Sequence, residues 1–179
     1  MHVQTVPFTH HGLVDHDTEV LLGFLDAERD HVLGILDGLS EEQLRRPVLP
    51  SAWSCLGMVK HLALSDEHYW FRSVVAGESF DFFPEGHNAD WQVGPDETAA
   101  DVFALYRDEI ARSNAIIAAT PLDSRPQQLD PRWGEWGQRF ESLRFVMLHV
   151  LKETACHAGH LDAAAEIIDG RQWIVLSDD

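Results

Sequence analysis

The chain has 179 residues, 45% hydrophobic and 24% charged, the profile of one ordinary globular domain and not of a disordered chain. Thirty Asp plus Glu against 13 Lys plus Arg give a formal net charge of −17, which repels phosphate backbones and anionic lipid, and no basic stripe offsets it. No stretch nears the ~18 consecutive apolar residues of a spanning helix, and MHVQTVPFTHHGLVDHD has neither the basic start nor the apolar run of a signal peptide. A cytoplasmic protein that binds neither nucleic acid nor membrane is the expectation. Lys60 and Lys152 are the only lysines, and with many Ala and Asp this reads as a GC-rich bacterial coding sequence.

In chain order, apolar residues at helical spacing predict four long helices. The first runs from about Thr18 to Gly38, with Val20, Leu21, Phe24, Leu25, Val32 and Leu36 on its apolar stripe. The second spans about Ser54 to Ala76, with Ser54 as a cap for its start. The third covers about Asp96 to Thr120, and the fourth about Ser142 to Asp169, stopped by Gly170. None has an internal proline. The connections Gly77 to Pro95 and Pro121 to Glu141 are long, and long loops in compact domains are often functional. They carry Phe82, Phe83, Trp91, Trp133 and Trp136, which are expected to fold over one end. The fold expected is all-α: a four-helix bundle within a single domain, its core at about 18–170.

Chemistry concentrates on the fourth helix, HVLKETACHAGHLDAA. With His149 at zero, about 100° per residue puts Glu153 near 40°, His157 near 80° and His160 near 20°. Glu153 and His157 have the i, i+4 spacing by which successive turns meet one ion. Bundle-core metal sites draw such residues from neighbouring helices. The second helix offers His61, within its most apolar stretch, and His68, seven residues on and nearly on the same face. Two histidines and a carboxylate suit a divalent ion such as zinc with one position open, and no CxxC spacing supplies a closed structural site. The same ligands accept Ni2+, Fe2+ or Mn2+. Against this stands the plain alternative that histidines stacked on a solvated helix face are structural.

The phrases LDGLSEEQLRRPVLPSAWSCLGMVKHLA and HVLKETACHAGHLDAAAEIIDG resemble the DinB/YfiT-like superfamily of metal-binding four-helix bundles. They are closest to the branch of mycothiol-dependent maleylpyruvate isomerase and mycothiol S-transferases. The resemblance runs from about Leu21 to Gly170. It implies a histidine ligand on the second helix, His61, and two more at i and i+4 on the fourth, Glu153 and His157. The superfamily at large often has His at the first of these and Gln three residues after the second; Glu153 matches the mycothiol branch.

The function expected is a divalent-metal-dependent thiol S-transferase, or thiol-dependent isomerase, acting on a low-molecular-weight thiol such as mycothiol and a small electrophile. His160 is the candidate proton-transfer residue, with His149 behind it. Trp133 and Trp136 are candidate pocket walls, and Arg132, Arg139 and Arg144 are candidate holders of an acidic or sugar-bearing thiol. Cys156 is expected to pack on the helix flank, and Cys55 in the core. The rival readings are a metal-dependent hydrolase of small amides or esters, and a non-catalytic metal- or ligand-binding stress protein. A homodimer is open.

Overall fold

A computed structural model describes residues 15–137 and 139–173, without the side chains of Pro131 and Trp136. Among these, every regular element is helical: α1 (His16–Ile35), α2 (Glu41–Arg45), α3 (Cys55–His61), α4 (Ala99–Ala119), α5 (Gly134–Gly137) and α6 (Leu143–Asp169). The all-α expectation holds. The four long helices lie where the apolar spacing puts them, and the ends are sealed by local chemistry. Thr18 N–H donates to Asp15, Gly57 N–H to Ser54 Oγ at 3.0 Å, and Phe145 N–H to Ser142 Oγ. Each side chain satisfies a backbone donor that the first helical turn leaves without a partner. Gly170 ends α6 at φ 81°, a left-handed conformation that costs glycine nothing.

Past His61, α3 continues without a break as a π-helix, Leu62–Val75. Its last turn shows the wider winding: Ala76 N–H reaches the Phe71 carbonyl, five residues back, at 3.0 Å. Such segments are rare and are found mostly at functional sites. The π segment packs against α4 and α6, and α1 packs along α6, closing the bundle.

Two apolar clusters fill it. One gathers Val32, Leu56, Val59, Leu62, Tyr106 and Leu161; the other gathers Leu25, Phe71, Val74, Phe140, Val146 and Val150. A buried ion pair also crosses the bundle. Arg29, 1% exposed, donates through Nε and Nη2 to both oxygens of the fully buried Glu67, at 2.7 and 2.6 Å. Its Nη1 bonds Asn114 and Asp26, each at 2.8 Å. One guanidinium thereby ties α1 to the π segment and α4.

The long connections go to two places, not one. Phe82, Phe83 and Trp133 pack around Tyr69 and Trp70. Trp91, from the same connection as Phe82, stacks instead on His61. The N-terminal residues 1–14 and the Trp136 side chain lie outside the described residues.

Candidate functional site

His61 is the last residue of α3 before the winding widens. Over it lies the connection 88–97, fastened to the helix from several sides. Lys60 Nζ donates to the Gln92 carbonyl at 2.9 Å and to Glu97 at 2.7 Å, and Arg45 reaches the carbonyls of Gly94 and Glu97. Asn88, at φ 51°, turns the chain into the short helical turn Ala89–Trp91; Asn is among the few residues at ease there. Gly57 permits the close approach, because a Cβ on it would stand 2.3 Å from the Trp91 carbonyl oxygen.

That turn delivers Asp90 and Trp91. Asp90 Oδ2 lies 2.6 Å from His61 Nδ1 and accepts from Ser65 Oγ at 2.8 Å. Burial opposes its ionisation, but the bonds from His61 and Ser65 prevail and hold the carboxyl below its ordinary range. Asp90 engages Nδ1 of His61 and leaves Nε2 as the nitrogen for a further contact, the arrangement that orients histidine ligands. Trp91 stacks on the ring, centroids 3.9 Å apart.

From α6, His157 meets His61 edge-on at a centroid distance of 5.3 Å. Burial, with His61 and His160 as like-charged neighbours, pushes the His157 imidazole down to about 4, so it is neutral at physiological pH. Its Nδ1 is buried and has no hydrogen-bond partner among the described residues. Two of the three sequence-predicted ligand residues, His61 and His157, thus meet from different helices.

Glu153 is held elsewhere. Its carboxylate pairs with Lys152 at 2.6 Å, which with nearby histidines outweighs partial burial and keeps it ionised. Among the described residues no group of three or more His, Cys, Asp or Glu is gathered as a metal cage. His160 is exposed and 5.7 Å from His157, with Trp53 on its other side at 6.4 Å. His149 does not join the cluster: it packs on Trp70 and Phe140. Nor does His68, which stacks on Phe82 and faces Glu109, because the π winding carries it off the His61 face. Cys156 is exposed and not packed on the flank, whereas Cys55 is buried as expected, its thiol pushed by burial up to about 11.

Two cavities border this centre. One, about 420 Å³, reaches Ser65 and Glu153 and is walled by Tyr69, Trp70, Phe83 and Trp133. The other, about 740 Å³, reaches Trp53 and Trp91 and has a more polar rim from Arg45, Ser51, Ser54 and Asn88. Of the candidate cations, Arg132 lines the first cavity but pairs with Asp130, and Arg144 pairs with Asp17.

Residues 20–170 match the family model described as Mycothiol-S-transferase (MST). The chain belongs to the mycothiol-S-transferase family. This agrees with the resemblance carried by the two sequence phrases, and it supports a thiol-related transferase role for the chain, with a small-molecule thiol as substrate. None of the curated proteins matches the sequence. No described helix is long and apolar enough to cross a membrane. Among the residues of this mycothiol-S-transferase family member, Asp90, Ser65 and Asp66 escape sequence reasoning. They are polar residues with no periodic partner, and only the length of the 77–95 connection hints at the first.

Proposed function

We propose that this chain transfers a low-molecular-weight thiol, mycothiol by family, to a small electrophile at a divalent metal held by His61, Glu153 and His157. The observation that carries the reading is the imidazole pair. His61 has one nitrogen fixed by Asp90, and His157 is neutral with a buried nitrogen that lacks a partner. Two imidazoles and a carboxylate form a donor set suited to zinc, and Glu153 would exchange Lys152 for the cation. A divalent ion held by these residues would supply Lewis acidity that favours thiolate near neutral pH, where a free thiol, ionising near 8.5, is mostly protonated.

The chain's own residues do the rest. Asp90 fixes the ring of His61 and keeps its Nδ1 protonated. Trp91 covers one face of that ring and excludes water from it. His160, exposed beside His157, carries the released proton to solvent. The more polar cavity at Trp53 and Trp91 suits a hydrophilic thiol, and the aromatic cavity at Glu153 suits the electrophile. The acidic surface disfavours nucleic acid and leaves small molecules as the reactants.

The test is metal content by elemental analysis of protein purified without an affinity tag, beside His61→Ala and His157→Ala. The expected result is about one zinc per chain, lost in both variants, together with thiol-conjugate formation by mass spectrometry. Protein that takes up no zinc refutes the metal reading. Zinc-dependent ester or amide hydrolysis without conjugate formation replaces the transferase with a hydrolase.

A further inference from the structure

The cavity of about 740 Å³ lies between the turn that precedes α3 and the 88–93 connection. It is where the backbone departs from ordinary geometry. Among the described residues, two other than glycine adopt a left-handed backbone, Ala52 at φ 62° and Asn88 at φ 51°, and both line this cavity. Such conformations are costly, at alanine more than at asparagine, and they gather at ligand clamps and active sites. The Ala52 turn closes through its own N–H on the Leu49 carbonyl at 2.9 Å, and it sets Ser51 and Trp53 on the cavity wall.

The wall is polar without offering a charge. Arg45 is the one charged side chain on it among the described residues, and each of its nitrogens is engaged. Nε donates to Glu41 at 2.7 Å, Nη1 to the Gly94 carbonyl at 3.3 Å and Nη2 to the Glu97 carbonyl. The groups left for a ligand are neutral: the exposed Ser51 hydroxyl and Asn88 amide, and the hydroxyl hydrogen of Ser54, whose oxygen accepts from Gly57 N–H at 3.0 Å. Between them stand two half-buried indoles, Trp53 and Trp91, packed on the apolar core and lining the cavity with what remains. An anion would lack an uncommitted cation here, and an apolar ligand would strand the hydroxyls and the amide. A ring bearing hydroxyls fits both kinds of wall, its C–H face on an indole and its oxygens on the polar groups.

Resting on the thiol-transfer reading above, we propose that this cavity grips the thiol by a part that does not react: a neutral polyhydroxylated ring laid against Trp53 and hydrogen-bonded by Ser51, Ser54 and Asn88. The position suits that task. Trp91 stacks on His61 with centroids 3.9 Å apart, and Trp53 stands 6.4 Å from His160, itself 5.7 Å from His157. A ring held here lies a short side arm from both imidazoles, so one molecule can fill the cavity and bring its sulfur to them. Binding energy gained on the remote ring then holds the sulfur in place for reaction. Arg132 and Arg144 take no part in this grip, being paired with Asp130 and Asp17.

The experiment titrates the full chain, by calorimetry, with N-acetylglucosaminyl-inositol, a neutral polyol without sulfur. The polyol should bind, and Trp53→Ala should weaken it about tenfold. Trp53→Phe, which keeps a ring, should lose about threefold at most. Asn88→Gly keeps the left-handed turn and deletes the amide; it should weaken binding about fivefold, and it tests the site even where Trp53→Ala does not fold. Circular dichroism establishes which variants are folded. A parent chain that does not bind the polyol, or folded variants that bind it like the parent, overturns the proposal. The thiol-transfer reading fails separately. Polyol binding as stated, with no enzyme-dependent conjugate from mycothiol and 1-chloro-2,4-dinitrobenzene, sinks the transferase and leaves the cavity assignment standing. Conjugation by a parent chain that does not bind the polyol does the reverse.

Discussion

Asp90 Oδ2 sits 2.6 Å from His61 Nδ1, and this contact decides which nitrogen of His61 a ligand can meet. Replacing a group that orients a histidine ligand in this way typically lowers metal affinity 10–100-fold. Asp90→Ala should therefore weaken zinc binding by about that factor while its circular dichroism spectrum matches the parent. Competition against a chromophoric chelator measures it. Undiminished affinity would mean that His61 is oriented by something other than Asp90.

Gly57 offers a test in which propensity and packing oppose each other. Alanine in a helix interior should stabilise by about 0.5–1 kcal/mol relative to glycine. Here its Cβ would meet the Trp91 carbonyl at 2.3 Å, and this is backbone, which cannot rotate aside. Gly57→Ala should lift the 88–91 turn, separate Asp90 and Trp91 from His61, and cost zinc affinity with helicity retained. A variant that is more stable and binds zinc normally would show that the turn is not seated by this approach.

Much of this was legible because helices announce themselves by period. The stripe of Val59, Leu62 and their neighbours, the Ser54 cap and the Gly170 stop all act within a turn or two of the chain. The meeting of His61 with His157 was legible for the same reason, since both lie on apolar-facing arcs of long helices. The angular argument failed for His149 because it ignores height. At about 1.5 Å per residue, His149 lies roughly 12 Å along the axis from His157, among the rings of Trp70 and Phe140. Asp90 was invisible because a turn residue has no period. Arg29 was invisible because nothing local says that it will cross to Glu67, 38 positions away.

That crossing yields the largest expected change in stability. Losing one partner of a buried ion pair leaves the other desolvated and alone, at about 3–5 kcal/mol. Glu67→Gln or Arg29→Met should each lower urea stability by that order, about 3–5 kcal/mol, whereas the double variant Arg29→Met, Glu67→Leu should recover most of the loss. Single and double variants that lose stability additively would show that the two side chains do not act as a pair.

Asp130 sets an acid limit on the aromatic end. Its bond from Arg132, opposed by burial and aided by Tyr69, holds the carboxyl at about 2, below the roughly 3.9 of an unfolded aspartate. The sign follows from the unfolded chain binding the proton first. The Asp130 contribution is complete above about pH 4 and disappears as pH falls toward about 2. The stability difference between the parent and Asp130→Asn should be flat above about pH 4 and shrink below it, as followed by denaturation in a pH series. A difference that ignores pH would mean that the carboxylate is not what anchors Arg132 and Tyr69.

The wide winding of Leu62–Val75 makes the aromatic cavity heritable separately from the scaffold. An α-helix turns about 100° per residue, and the wider π winding turns somewhat less. The loss of one residue between His61 and Asp66 would swing Asp66, Tyr69 and Trp70 by nearly a quarter-turn relative to His61. Insertions and deletions, normally confined to loops, are here a means of trading one binding pocket for another.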